Sequence, residues 1–129
     1  MGNNDLPVEV LGAYAGTYDG SVKFEAGLAA NSRFAYADSD PSATITVPMI
    51  DTFSLGSFDL AKIDIESAEW SLLADERFAQ LAPVVVMEWH ERGRGDMTID
   101  EALEAHGYSV QHTEPGIVWA FASPRIETA

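Results

Sequence analysis

Two pairs of residues, Asp64-x-Glu66 and Glu88-x-His90, have the same spacing and each closes a short apolar run. The first run is Leu60-Ala61-Lys62-Ile63, with β-branched Ile63 and Ile65; the second is Val84-Val85-Val86-Met87. On an extended chain, residues two apart point to the same side. If the two runs are neighbouring parallel strands, about 4.8 Å apart, four polar side chains converge on one rim. Carboxylates beside an imidazole suit proton transfer, because histidine changes charge near neutral pH and serves most often as general base. His90 would take the proton of an acceptor hydroxyl, and Asp64 would orient that base or touch the acceptor. Three carboxylates and one histidine could also hold a hard divalent cation, but no feature of the sequence fixes a metal.

Plainer roles exist for the same residues. Acids in the first turn of a helix favour its positive end, which would account for Glu66 and Glu69, and Ser67 could be an ordinary cap. Asp64 is harder to reduce to decoration. It sits between Ile63 and Ile65, where a buried strand carries an apolar residue, and an unpaired buried carboxylate is costly. Lys62 reads as a lysine snorkelling from a strand edge. His106, just before Gly107, reads as a partner of a helix end, and Trp70 as a packing anchor.

The elements that must position these residues follow from periodicity and punctuation. Ala68, Leu72 and Leu73 have helical spacing, and the pattern predicts a helix over 68–81 that Pro83 ends. The continuous apolar run from Val84 to Met87 predicts a parallel strand covered on both faces. Thr98 and Glu101 form a capping box for a short helix ending at His106-Gly107. Residues 108–112 and 117–122 read as a closing hairpin around Glu114-Pro115-Gly116, with Pro and Gly in the central positions of a type II turn. Upstream, residues 7–11 and 21–25 read as strands, separated by a turn at Tyr18-Asp19-Gly20. Residues 26–42 read as a long loop in which Phe34 and Tyr36 fasten the loop to the core or line an acceptor site. Residues 44–50 read as an edge or irregular strand because of Pro48, and Asp51 as the cap of a short helix.

The stretch Leu60-Ala61-Lys62-Ile63-Asp64-Ile65-Glu66-Ser67-Ala68-Glu69 resembles the signature of FkbM-type methyltransferases, an apolar residue followed by Lys-Ile-Asp-Ile/Val-Glu-Gly-Ala-Glu. Ser67 stands where the family usually has Gly. An acid and a histidine ending the next strand, an Asp-Gly turn and a β-rich run closed by Asp extend the likeness over roughly residues 8–122. The resemblance implies an α/β fold with a Rossmann-like class I methyltransferase sheet, ending in an antiparallel hairpin. It implies S-adenosylmethionine as cofactor and methyl transfer to an oxygen of a small molecule or sugar. The glycine-rich donor-binding turn of such sheets has no counterpart here, since Gly12, Gly16 and Gly20 are too scattered. The chain therefore reads as one partial domain over 1–129, its first strands and donor turn absent, with cofactor-binding residues unassigned and open sheet edges suited to self-association. Two rivals are a metal-assisted hydrolase using Asp64, Glu66, Glu88 and His90 and a non-catalytic acidic interaction module.

Composition narrows the partners. In 129 residues there are 21 acids and 7 Lys or Arg, a formal net charge of −14, which opposes nucleic acid and anionic membranes. With 47% hydrophobic residues the chain can build a core. It has no cysteine, which removes disulfide and thiolate chemistry. No apolar run approaches the roughly 20 residues of a membrane span, and the start lacks the basic and apolar regions of a signal peptide. The cytoplasm is the default expectation.

Overall fold

The computed structural model describes residues 6–25, 33–34, 44–66 and 68–123. Among the described residues, eight strands form two four-stranded sheets. The first contains β1 (Tyr14–Gly16), β2 (Gly20–Glu25), β3 (Arg33–Phe34) and β4 (Thr44–Asp51), in the order β1-β4-β2-β3. The second contains β5 (Leu60–Ile63), β6 (Val84–Glu88), β7 (Tyr108–Glu114) and β8 (Ile117–Ala122), in the order β5-β6-β8-β7. The fold is thus mixed α/β, and the strands before residue 52 form a sheet of their own instead of widening the one that carries the two acidic strand ends.

In the second sheet β5 and β6 are parallel and adjacent, with Leu60 opposite Val84 and Ile63 opposite Met87. The β7–β8 hairpin completes it, β8 running antiparallel to both β6 and β7. Gly116 has φ 82°, the left-handed conformation required of the third residue of a type II turn. Val85, Met87, Val118 and Ala120 are fully buried and face Leu72, Leu73, Phe78, Ile99 and Leu103. Along β6 the alternate residues Val84 and Val86 are only half-buried, so one face of this strand is covered and the other partly open, a departure from the expected double cover. Leu60 and Phe121, on that second face, are exposed.

The helix expected over 68–81 is two pieces: α1 (Glu69–Leu73) and a 3-10 segment at Glu76–Gln80. Asp75 divides them. Its backbone is extended, and its carboxylate accepts from the Arg77 backbone N–H at 2.9 Å, so the side chain restarts the coil as a cap. Helical spacing survives the break because both pieces bury the same face, which is why the pattern alone does not reveal it. The second helix, α2 (Ile99–Glu104), has both reciprocal bonds of the Thr98–Glu101 capping box.

Arg77 ties the two sheets together. Its guanidinium donates to Asp51 at 2.8 Å, to Asp75 at 2.9 Å and to the Thr17 carbonyl at 2.9 Å, and lies 4.9 Å from the centroid of the Phe53 ring. The hydrogen bonds it donates to the Asp75 and Asp51 carboxylates push the Arg77 pKa up, and Arg77 in turn holds Asp75 below the usual carboxylate range. Asp51 also caps the 3-10 turn at Thr52–Leu55.

Other expectations are corrected here. Residues 7–11 are not a strand: Val8 and Val10 are exposed and find no partner strand, so β-propensity alone does not order them. β4 is not an edge strand but lies between β1 and β2. Proline is tolerated because β1 pairs only with Met49–Asp51, which leaves Pro48 just outside the doubly paired part. The long loop over 26–42 falls mostly outside the described residues, as do Tyr36 and Ser67; within it Arg33–Phe34 pair with β2.

Candidate functional site

The two parallel strands β5 and β6 end side by side, and their polar ends meet. His90 is the hub. Its Nε2 lies 3.4 Å from Glu66 Oε2 and 3.6 Å from Glu88 Oε1. One ligand-capable atom from each of Glu66, Glu88 and His90 lies within 4.8 Å of the others. Asp64 joins through Glu88: the neighbouring Asp64 carboxylate pushes the Glu88 pKa up, helped by partial burial and by the negative charge of Glu66, with His90 opposing.

All four residues singled out from the sequence are therefore brought to one rim, though not all in the expected way. Asp64 is exposed and lies beyond the last residue of β5, so it is not the buried strand carboxylate that its apolar neighbours suggested. Nor does an extended chain run from Asp64 to Glu66. Glu66 has φ 43°, the one positive value of a non-glycine residue among those described. Left-handed backbone costs an L-residue about 1–2 kcal/mol, and such strain tends to gather at functional positions. It turns the chain sharply between β5 and α1 and brings the Glu66 side chain over His90.

Sequence reasoning passed over Glu69, taking it for a helix-dipole acid. It has 0% exposure, alone among the described charged residues in being buried. Its Oε1 accepts from the His90 backbone N–H at 2.7 Å and lies 3.1 Å from His90 Nδ1. Its Oε2 is buried without a hydrogen-bond partner. The bond at Nδ1 places that nitrogen's proton towards Glu69 and leaves Nε2 turned to Glu66 and Glu88. The usable signal was the motif itself, which sets Glu69 three residues after Glu66 at the start of the helix that follows the strand end.

Trp70 holds the same residue from another side. Its indole N–H donates to the His90 carbonyl at 2.6 Å, and its ring meets Trp89 edge-on at 6.4 Å. The packing role expected for Trp70 thus also fixes the His90 backbone. Trp70 forms one wall of a cavity of about 510 Å³ that also touches Leu73, Met97, Ala102 and His106. His106 does not join the cluster. Its Nε2 lies 2.6 Å from the Leu73 carbonyl and its ring packs on Phe78, so it closes the end of α1. Lys62 is exposed on β5.

A model of the methyltransferase FkbM domain matches residues 3–110. The chain belongs to that family, which sets it among the methyltransferases and favours methyl transfer over metal-assisted hydrolysis or a purely non-catalytic module. No curated protein and no solved structure matches. No helix among the described residues is long and apolar enough to cross a membrane.

Proposed function

We propose that the rim of Asp64, Glu66, Glu88 and His90 is the acceptor site of an FkbM-type, S-adenosylmethionine-dependent methyl transfer to an oxygen of a small molecule or sugar. The observation that carries this reading is the orientation of His90: Glu69 takes up Nδ1, and Nε2 is presented between two carboxylates at the end of two parallel strands. Ligands of open α/β sheets bind at such strand ends, and the order β5-β6-β8-β7 supports a Rossmann-like derivation of this sheet.

The work left to the protein is positioning and deprotonation. An acceptor hydroxyl within reach of Nε2 gives its proton to the imidazole as the oxygen becomes nucleophilic. The resulting imidazolium is held between Glu69 on one nitrogen and Glu66 and Glu88 on the other. Asp64, exposed at the mouth, is placed to receive a second hydroxyl of a polyol acceptor.

S-adenosylmethionine supplies the methyl group in this family's chemistry, but the described residues do not fit it as a cradle. Among them, no strand passes through a short glycine-rich turn into a helix: β5 enters α1 through Asp64-Ile65-Glu66, and a ten-residue loop joins β6 to α2.

The test is transfer from methyl-labelled S-adenosylmethionine to a panel of sugars and small hydroxylated compounds, read by mass spectrometry. The expected result is a methyl ether whose formation falls about 100-fold or more in His90→Ala, the scale of a lost general base. Equal product from His90→Ala would refute the assignment of the base. Failure of donor and acceptor alike to bind in calorimetry would refute the enzymatic reading.

A further inference from the structure

We propose that Glu66, Glu88 and His90 form a binding site for a divalent transition-metal cation of the zinc class, through one oxygen of each carboxylate and His90 Nε2. Metal–ligand bonds to imidazole nitrogen and carboxylate oxygen are about 2.0–2.2 Å long, so two ligands at a tetrahedral angle stand about 3.4 Å apart. The separations of Nε2 from the two oxygens are 3.4 and 3.6 Å. Two of the three ligand separations thus already match tetrahedral spacing, and the third, between the two carboxylate oxygens, is within 4.8 Å. Three protein ligands leave a fourth position open, the arrangement of catalytic zinc sites. Imidazole nitrogen favours zinc and the later transition metals over magnesium, calcium and manganese, which take oxygen.

Glu69 is the second and independent observation. Its side chain is fully buried, its carboxylate is directed at the cluster, and its Oε2 has no partner. A buried carboxylate with an unused oxygen is costly in an apolar surrounding. The cost is offset when positive charge sits on the far side of the imidazole it faces. A histidine that ligates metal through one nitrogen and gives its other N–H to a carboxylate has this arrangement, and the carboxylate fixes the ring and raises its basicity as a ligand.

The site deepens the acceptor-site reading, on which only its use in catalysis rests. A cation at this point spends Nε2 as a ligand, so the loaded site acidifies an acceptor hydroxyl at the open position by direct coordination instead of by the imidazole base. That names the acceptor class more narrowly: a compound with two neighbouring oxygens, one for the metal and one for Asp64.

The experiment uses the metal alone, so its failure is separable from failure of methyl transfer. The full chain, stripped of metal, is titrated with Zn²⁺ by calorimetry and with Co²⁺ by visible absorption, in 0.5 M NaCl to screen the acidic surface. The expected result is one equivalent bound with Kd of about 10 µM or tighter and the strong visible bands of tetrahedral Co²⁺, a tenfold or greater loss of affinity in both Glu66→Gln and His90→Ala, and about a tenfold loss in Glu69→Gln. Asp100→Asn, which removes the separate exposed pair of His112 with Asp100 at 2.6 Å, is expected to leave the affinity unchanged. Absence of saturable binding, or a smaller loss in either Glu66→Gln or His90→Ala, overturns the proposal. Glu66→Gln keeps the shape of the turn and stays informative if His90→Ala does not fold.

Discussion

Replacing Glu69 by alanine is expected to loosen His90 and to cost the whole domain stability. The buried Glu69 carboxylate accepts from the His90 backbone N–H at 2.7 Å and faces Nδ1 at 3.1 Å. A hydrogen bond to a charged acceptor contributes about 1.5–3 kcal/mol, and a buried N–H left unpaired costs a similar amount. Against that, alanine relieves the burden of the unpaired Oε2. The net expectation is a loss of about 2–3 kcal/mol, which for a domain of this length lowers Tm by roughly 8–12 °C. Glu69→Gln keeps an acceptor oxygen for the backbone N–H and should stay within about 1 kcal/mol of the native chain. Urea unfolding followed by tryptophan fluorescence reads both, since Trp70 and Trp89 pack beside the site. Nitrogen chemical shifts of His90 then report whether Nδ1 keeps its proton. If Glu69→Ala unfolds within about 0.5 kcal/mol of the native chain, Glu69 does not pin His90 and the site geometry argued above is wrong.

Three further outcomes follow from other contacts. Glu88 has its folded pKa raised above the ordinary 4.5, so its contribution to stability is present below that value and is lost as pH rises through the folded pKa. Glu88→Gln is therefore expected to melt above the native chain at pH 7 and to match it below about pH 4; calorimetric scans at the two pH values decide, and a Gln variant no more stable at pH 7 refutes the crowding of Glu88 by the Asp64 carboxylate. Arg77→Met removes the tie between the sheets, and amides of β1 and β2 should exchange hydrogen faster while those of β6 and β8 do not; uniform change would show that Arg77 is not the tie. Tyr108 donates to the Ala82 carbonyl at 2.6 Å in a buried position, so Tyr108→Phe should cost about 1–2 kcal/mol in denaturant unfolding, and a neutral result would mean that the carbonyl is otherwise satisfied.

The sequence carried the site better than it carried the chain around it, and the reasons are physical. Strand pairing of β5 with β6 was legible because both runs are apolar, short and closed by acids, and a parallel pair needs a crossover such as the one holding α1. Local chemistry was legible too: the Thr98 capping box, the Asp51 cap and the Pro115-Gly116 turn each depend on residues within a few positions. What failed depended on partners far along the chain. The break at Asp75 is set by Arg77, itself held by Asp51 and by Thr17, 60 positions away, and periodicity averages over such a break. The place of β4 between β1 and β2 follows from pairing that Pro48 alone does not disclose. Glu69 was missed for the opposite reason. An acid at the first turn of a helix has so ordinary an explanation that its burial, which no local pattern reports, is what separates a dipole partner from the residue that orients His90. The strained backbone of Glu66 makes the same point from the other side. A side chain paying for left-handed φ is retained where its position matters, and here that position is 3.4 Å from the imidazole.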